Sequence, residues 1–411
     1  MKYGYDKSFL KGLGVGNFLK IDATRNAKIA EAPNTIPESV YSANRLAASL
    51  HPHVQFVKVV EIIDRGSAKT FALAPNPEMG TTSLAYFRAG QYISVALKIG
   101  GATLCKPYSL CSGPKEALEG VYRITVQRNP NGYASDYILD EWKVGTEVMI
   151  SAPLGDFYYS PIRDAKHVVA LAGGSGITPF FSMASAIADG IEDSRLTILY
   201  GNGTYEGILL REELEEIAAR SEGRVKIIHV LSKETREGCE SGFISADLIR
   251  RIIGNEDASI FLCGPRAMYT YEDTELPKLH LPRRRIRREL YGEFGDPAAD
   301  PKWDLQLRDR TFAVTVRVRG QEYHISCKGD QTLLCAMEQA GIPAPSDCRS
   351  GVCGWCHSLL VSGEVFIPEK ADGRRLADAK FGWIHPCCSY PMSDIVLDVP
   401  ALLLPDQEDE K

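Results

Sequence analysis

Three cysteines crowded into one short run, Cys348, Cys353 and Cys356 in SDCRSGVCGWC, place the tightest limit on what this chain folds into. A loop that short holds its thiols together whatever surrounds it. Another pair, Cys387 and Cys388, follows about thirty residues on. These five are concentrated between 348 and 388, although the chain has 11 cysteines in all. A disulfide scaffold belongs to small secreted domains, and 411 residues is not small. Clustered cysteines in a chain of this size point instead to metal binding or redox work. The spacing is C-x4-C-x2-C, and Ser350, Gly351 and Gly354 keep the loop small enough for backbone N–H groups to approach the sulfurs. Structural zinc favours paired C-x2–4-C units, and only Cys353 with Cys356 has that form. His357 directly follows Cys356 and adds little as a further ligand.

The rest of the chain is long enough for about two to four domains. A net charge of −6 argues against general nucleic-acid binding, which needs a basic footprint. No run of about 18 apolar residues occurs, so no membrane span is expected. The first residues lack the apolar core of a signal peptide, and a cytoplasmic location is expected by default. Residues 1–50 read as an extension with a helix whose apolar face carries Val40, Leu46, Ala47 and Leu50. From about 54, short β-rich runs parted by Gly, Pro and Asn predict an antiparallel barrel or sandwich over 51–162. From 163 to 297, strands alternate with helices, the pattern of a doubly wound parallel α/β sheet. GDPAADPKW, 295–303, reads as a linker, and 304–404 holds two strands, a helix and the cysteine loop. The basic run PRRRIRREL, 282–290, reads as a solvated helix face, with pairing to the acidic C-terminal domain or an acidic partner as the alternative, and His51 and His53 lack further ligands.

The cysteine spacing resembles that of plant-type ferredoxins, which carry a [2Fe–2S] cluster. The later segment PCCSYPMSDIVLDV is similar to the closing segment of that family. There the ligand lies three residues before the Tyr of YP. The resemblance therefore implies a β-grasp α+β domain with Cys348, Cys353, Cys356 and Cys387 as metal ligands, and leaves Cys388 where a small residue is needed. Trp355 departs from the usual small residue and is read as local packing, the alternative being a residue that tunes exposure of the cluster or touches a partner.

KPYSLCS, 106–112, after a barrel strand, resembles the flavin motif of the ferredoxin–NADP reductase superfamily. The resemblance implies Tyr108 on the isoalloxazine and Ser109 near flavin N5. Lys106 would supply charge for phosphate without the fork of the usual Arg. NPNGYASDYIL fits the second flavin motif. Gly132 allows close backbone approach, and Ser135 at a helix start faces pyrophosphate. This form favours FAD over FMN, and LGDFYY, 154–159, offers aromatics for an adenine. HVVALAGGSGITPF runs a buried strand into a tight turn and a helix, and resembles the pyridine-nucleotide motif of the same superfamily. That assigns Gly173, Gly174, Gly176 and Thr178 to the nucleotide, with Cys263, Gly264 and Pro265 of FLCGP beside the nicotinamide. Ser232, Lys233 and Arg236 of LSKETREG are candidates to hold a 2′-phosphate, against the reading of a solvated charged loop, and NADH versus NADPH stays open. Cys105 and Cys111 read as small core residues.

The motif order implies a flavoreductase with a fused ferredoxin domain, similar to oxygenase reductase components. Its expected cofactors are FAD, a [2Fe–2S] cluster and NAD(P)H. Its expected catalytic residues are Tyr108, Ser109 and Cys263, and its expected partner is an electron-acceptor protein such as an oxygenase or another metalloenzyme. The rival reading is a non-catalytic electron-transfer subunit of a larger complex.

Overall fold

The computed structural model describes residues 20, 23–28, 31, 42–129, 132–290, 292–318 and 320–400. The chain divides into two compact units, 1–50 and 51–411. In the first, helix α1 (Ser42–Leu50) carries Leu46, Ala47 and Leu50 on exposed positions. Val40, expected on the same face, and the tail PDQEDEK lie outside the described residues.

The second unit opens with six strands: β1 (Val54–Asp64), β2 (Ala68–Pro75), β3 (Tyr92–Ile99), β4 (Ala102–Ser109), β5 (Tyr122–Gln127) and β6 (Glu147–Ser151). They form one antiparallel sheet in the order β4-β3-β6-β1-β2-β5. Alternation drives the curl. In β1, Val57 and Val59 point inward between half-exposed neighbours, and join Phe71, Ile93, Ile124 and Ile150 in one core. The two sheet edges meet beyond β4, where Leu110 bridges Ile124 and Cys111 N–H donates to Arg123 O at 2.8 Å, closing a barrel. Helices α2 (Pro114–Leu118) and α3 (Tyr133–Glu141) decorate it.

Next come β7 (His167–Gly173), α4 (Thr178–Ala188), β8 (Arg195–Asn202), α5 (Arg211–Arg220), β9 (Val225–Leu231), β10 (Glu240–Ser241), α6 (Ala246–Ile253), β11 (Ala258–Cys263), α7 (Arg266–Glu275) and β12 (Ile286–Arg288). All neighbouring strands run parallel, in the order β10-β9-β8-β7-β11-β12. β7 and β11 are buried along their whole length, as strands covered on both faces must be. Strand order reverses between β7 and β11, the topological position at which open α/β sheets form a crevice at the strands' carboxyl ends.

The last sheet is mixed: β13 (Thr311–Val318), β14 (Gln321–Lys328), β15 (Ser358–Ser362), β17 (Trp383–Ile384) and β19 (Ile395–Asp398), in the order β14-β13-β19-β15-β17. A separate ribbon pairs β16 (Val365–Phe366) with β18 (Tyr390–Pro391). Helix α8 (Leu333–Gln339), capped by the Thr332 hydroxyl, supplies Leu333, Leu334 and Met337 to the core, and α9 (Leu376–Lys380) lies near the end.

Two expectations change. The basic run is not an α-helix. It forms a short turn and edge strand β12, where Arg285, Arg287 and Arg288 pair with Asp257, Asp164 and Asp273 of the same parallel domain. The stretch 295–303 is packed rather than loose. Trp303 is buried with Leu307 and Phe312, and Asp296 accepts from Arg308 at 2.8 Å.

Candidate functional site

The cysteine loop follows α8, with Gly351 at its centre in the left-handed region (φ +82). A Cβ at Gly351 would lie 2.1 Å from Ala371 O and 2.9 Å from Cys388 Sγ, so the loop closes tightly only around glycine. Backbone N–H groups do reach the sulfurs. Ser350 and Cys353 donate to Cys348 Sγ at 3.5 and 3.3 Å, and Trp355 donates to Cys353 Sγ at 3.4 Å. Cys387 Sγ lies 3.4 Å from Cys356 Sγ, whereas Cys388 Sγ turns to His385 O at 3.4 Å.

The thiols thus stand two and two, Cys348 with Cys353 and Cys356 with Cys387. Among the described residues, no three His, Cys, Asp or Glu converge on a single ion. A lone zinc needs one tetrahedral set, while a [2Fe–2S] cluster asks for two thiolates on each iron. Contact with Cys387 and then burial push the Cys356 thiol well above its usual range. Cys387 is likewise raised: Cys356 pulls it down, but Cys388 and burial outweigh that. The four thiols, paired two and two, fit the cluster. Cys353 is the exposed member. Val352 and Trp355 beside it are 65% and 55% exposed, so Trp355 is not packed away as expected.

The flavin-motif residues end β4. Ser109 is buried, Tyr108 half-buried against the barrel core, and Lys106 Nζ stands 3.4 Å from Glu293 Oε1. Burial holds the Lys106 ammonium below its usual range, helped by Arg349 and opposed by Glu293. Gly132 precedes α3, and a Cβ there would strike Ser135 Oγ, so the two stand together at that helix start. Pro130 and Asn131 of the same run lie outside the described residues. Phe157 is committed to the core against Phe180 and Phe261 and Tyr159 is buried in the same cluster, leaving Tyr158, which carries the Arg88 guanidinium 3.8 Å from its ring centre. Of the two motif cysteines, Cys111 is buried while Cys105 lies at a seam, its carbonyl 3.4 Å from Arg349 Nη1.

At the parallel sheet's switch point, Ala172 pairs in register with Cys263. Gly173 ends β7, Gly174 and Gly176 form the turn, and Thr178 opens α4 with its hydroxyl donating to Ser175 O at 3.0 Å. Gly264 follows Cys263, and Pro265 caps α7. Cys263 is buried, and burial, then Glu289, raise its thiol. Gly174 also faces Gln127 of the barrel. At the ends of β8 and β9, Arg236 and Arg211 lie 3.6 and 4.3 Å from the Tyr205 ring centre, with Lys233 against Gly203.

The three motif sets meet through residues that the sequence did not single out. Tyr92 pairs in register with Ser109, and lies within electrostatic reach of Cys353, Cys348, Asp347 and Glu289. Glu289 in turn faces Cys263, and its carboxylate approaches Gly155. A tyrosine on a strand and a glutamate after a basic run carry no motif signal, and only folding brings them between the flavin strand, the nicotinamide turn and the cysteine loop.

Behind Pro265, α7 buries Glu272 completely, with neither carboxylate oxygen hydrogen-bonded. Burial, then Glu275, raises its pKa from 4.5 to about 8. The folded chain therefore holds Glu272 protonated where the unfolded chain ionises it. Stability falls as pH rises from the unfolded value toward 8, and above that the cost is complete. Glu272→Gln is expected to stabilise the fold by about 2–3 kcal/mol at pH 8, after discounting for local relaxation, with the gain shrinking toward pH 5. Thermal melts at the two pH values check this, and an equal gain at both would refute the ionisation argument.

Known proteins agree with this layout. The family described as oxidoreductase FAD-binding domain matches residues 70–159, the oxidoreductase NAD-binding domain 170–273, and the 2Fe-2S iron-sulfur cluster binding domain 316–392. The ferredoxin reductase component of 3-ketosteroid-9-alpha-monooxygenase from Mycobacterium tuberculosis is 31% identical over 351 residues, 84% of this chain and 94% of that protein. One component of the 1,2-phenylacetyl-CoA epoxidase from Escherichia coli is 27% identical, across 77% of this chain and 89% of that protein. The solved structure of phthalate dioxygenase reductase superposes with a TM-score of 0.60 at 26% identity, covering 84% of this chain and 98% of that one. The activity that follows is electron transfer from NAD(P)H through FAD to a [2Fe–2S] cluster and on to a separate acceptor. The chain belongs to the ferredoxin–NADP reductase superfamily, among the flavoreductases that carry a C-terminal [2Fe–2S] ferredoxin domain and include oxygenase reductase components.

Proposed function

We propose that this chain is the reductase component of an oxygenase, handing single electrons to that partner's metal centre. The observation that carries the reading is the two-sidedness of the cysteine loop. Its inner side lies within electrostatic reach of Tyr92 on the flavin-motif sheet, while its outer side presents Cys353 between the exposed Val352 and Trp355. Electrons would enter from within and leave at the surface.

Lys106, Tyr108, Ser109, Gly132 and Ser135 would hold FAD. Gly173, Gly174, Gly176, Thr178, Cys263, Gly264 and Pro265 would hold the nicotinamide nucleotide, with Cys263 at the reacting ring. Cys348, Cys353, Cys356 and Cys387 would hold the cluster. FAD supplies the exchange between the two electrons of a hydride and the single electrons a [2Fe–2S] cluster takes. The side chains supply orientation. Tyr108 and Ser109 fix one face and edge of the flavin pocket. The glycine turn brings backbone N–H groups to the nucleotide's pyrophosphate. The tightness of that turn against the Cys263 loop favours a working nucleotide site over the non-catalytic reading. We place the flavin, nucleotide and ferredoxin domains at 51–162, 163–297 and 304–404. The location is cytoplasmic in this reading, and among the described residues no helix is long and apolar enough to cross a membrane.

Anaerobic visible-spectrum titration with NADH and NADPH in separate cuvettes tests the reading. Bleaching of both flavin and cluster bands by either nucleotide is expected, and the more effective one names the donor. Intact bands that neither nucleotide bleaches would transfer the conclusion to the non-catalytic subunit.

A further inference from the structure

Arg349 directly follows Cys348, yet its side chain is 1% exposed and its backbone sits in the left-handed region (φ +58). For a long cation this is a costly place and a strained backbone, and both need compensation. Two carboxylates supply it. Glu338 of α8 takes Nη1 and Nη2, the latter at 2.8 Å. Glu293 takes Nε at 2.9 Å and also Nη2. The remaining contacts are Ser346 Oγ at 3.5 Å and the carbonyl of Cys105 at 3.4 Å. Lys106 Nζ joins from β4, 3.4 Å from Glu293. Burial alone would raise the Glu293 carboxyl, but Arg349 and Lys106 hold it below its usual range.

The four charges sum to zero, and they come from three places. Lys106 belongs to the flavin-motif strand, Glu293 follows the parallel sheet, and Glu338 and Arg349 belong to the ferredoxin domain. Glu293 sits in a short segment gripped along its length. Gly292 N–H donates to Cys348 O at 3.3 Å, the Arg266 guanidinium covers Phe294, and Tyr390 O–H donates to Gly295 O at 2.8 Å. The Arg349–Glu338 leg is internal to the ferredoxin domain. The Glu293 and Cys105 legs are not, and separating the domains would strand buried charge.

We infer that Glu293 and Arg349 are positioning residues that clasp the cluster loop to the flavin strand, fixing the flavin-to-cluster step at one geometry. The inference rests on the reductase activity described above. It implies that the ferredoxin domain is docked, not swinging on a tether.

The test is Glu293→Gln in the full-length holoprotein, which leaves the Arg349–Glu338 leg in place. In stopped flow with NAD(P)H, the flavin phase should stay near wild type while the cluster phase slows by about tenfold or more, the scale on which small misplacements act. Cofactor content should be unchanged. A merely structural residue would instead depress both phases or lose a cofactor. Independently of turnover, tryptic cleavage across 296–310 should speed severalfold as the segment opens. If cluster phase and cleavage both match wild type, the clasp is wrong. If Glu293→Gln cannot hold its cofactors, Glu293→Asp decides. It keeps the charge but withdraws it by one methylene, so a slowed cluster phase supports the clasp and an unchanged one overturns it. If wild type itself shows no nucleotide-driven cluster phase, the activity is misread, while cleavage still reports on the clasp.

Discussion

Cys387→Ser is expected to abolish the [2Fe–2S] absorbance and stable iron content, and Cys388→Ser to preserve both. The two residues are adjacent and each only 1% exposed, so burial does not separate them. Direction does. Cys387 Sγ stands 3.4 Å from Cys356 Sγ, completing the second thiol pair, while Cys388 Sγ faces His385 O and the Gly351 backbone. Serine at 387 replaces a soft thiolate with a hydroxyl that does not ionise near neutral pH, so one iron loses half of its protein ligands. Serine at 388 is nearly isosteric and keeps a donor for the His385 carbonyl, at a cost of about 1 kcal/mol. Iron analysis and visible spectra of both variants, reconstituted anaerobically, decide the assignment. Retention in Cys387→Ser with loss in Cys388→Ser would reverse it.

Gly176→Ala is expected to cut the rate of flavin reduction by NAD(P)H by about a hundredfold or more while FAD and cluster remain bound. A methyl at Gly176 would sit 2.3 Å from Cys263 O, 2.5 Å from its carbonyl carbon and 2.7 Å from Gly264 Cα. All three are backbone atoms, so no side chain can swing aside. Relief requires the end of β11 to move from the β7 turn, where the proposed nucleotide site lies. Overpacking of this kind costs about 1–3 kcal/mol of stability. Gly101→Ala is the matched control, since nothing lies within 4 Å of its added methyl. Near-normal flavin reduction in Gly176→Ala would detach this turn from the nucleotide site.

Local signals carry the fold far. Alternation in β1 marks a half-buried barrel strand, and near-continuous apolar runs in β7 and β11 mark strands covered on both faces. Such patterns are legible because burial period and backbone period coincide within a few residues. Where charge alone was the guide, reading failed. PRRRIRREL is basic enough to suggest a solvated helix, but the carboxylates of Asp164, Asp257 and Asp273 draw it into an edge strand. Trp355 was expected inside and lies outside, because loop closure is set by Gly351 and the thiols rather than by hydrophobicity.

By itself, then, the sequence determined the three domain types and their order, and it marked the thiols, glycines and flavin-motif residues that the proposed sites use. These are all short-range: a loop, a turn or a strand end holds its own residues together. Tertiary structure alone decided how the three chemistries touch. Arg349 meets Cys105 across 244 positions and Lys106 meets Glu293 across 187, while Tyr92 and Glu289 stand between motifs to which neither belongs. No periodicity encodes such contacts. They form because buried charges must find partners and because packed domains leave few ways to provide them.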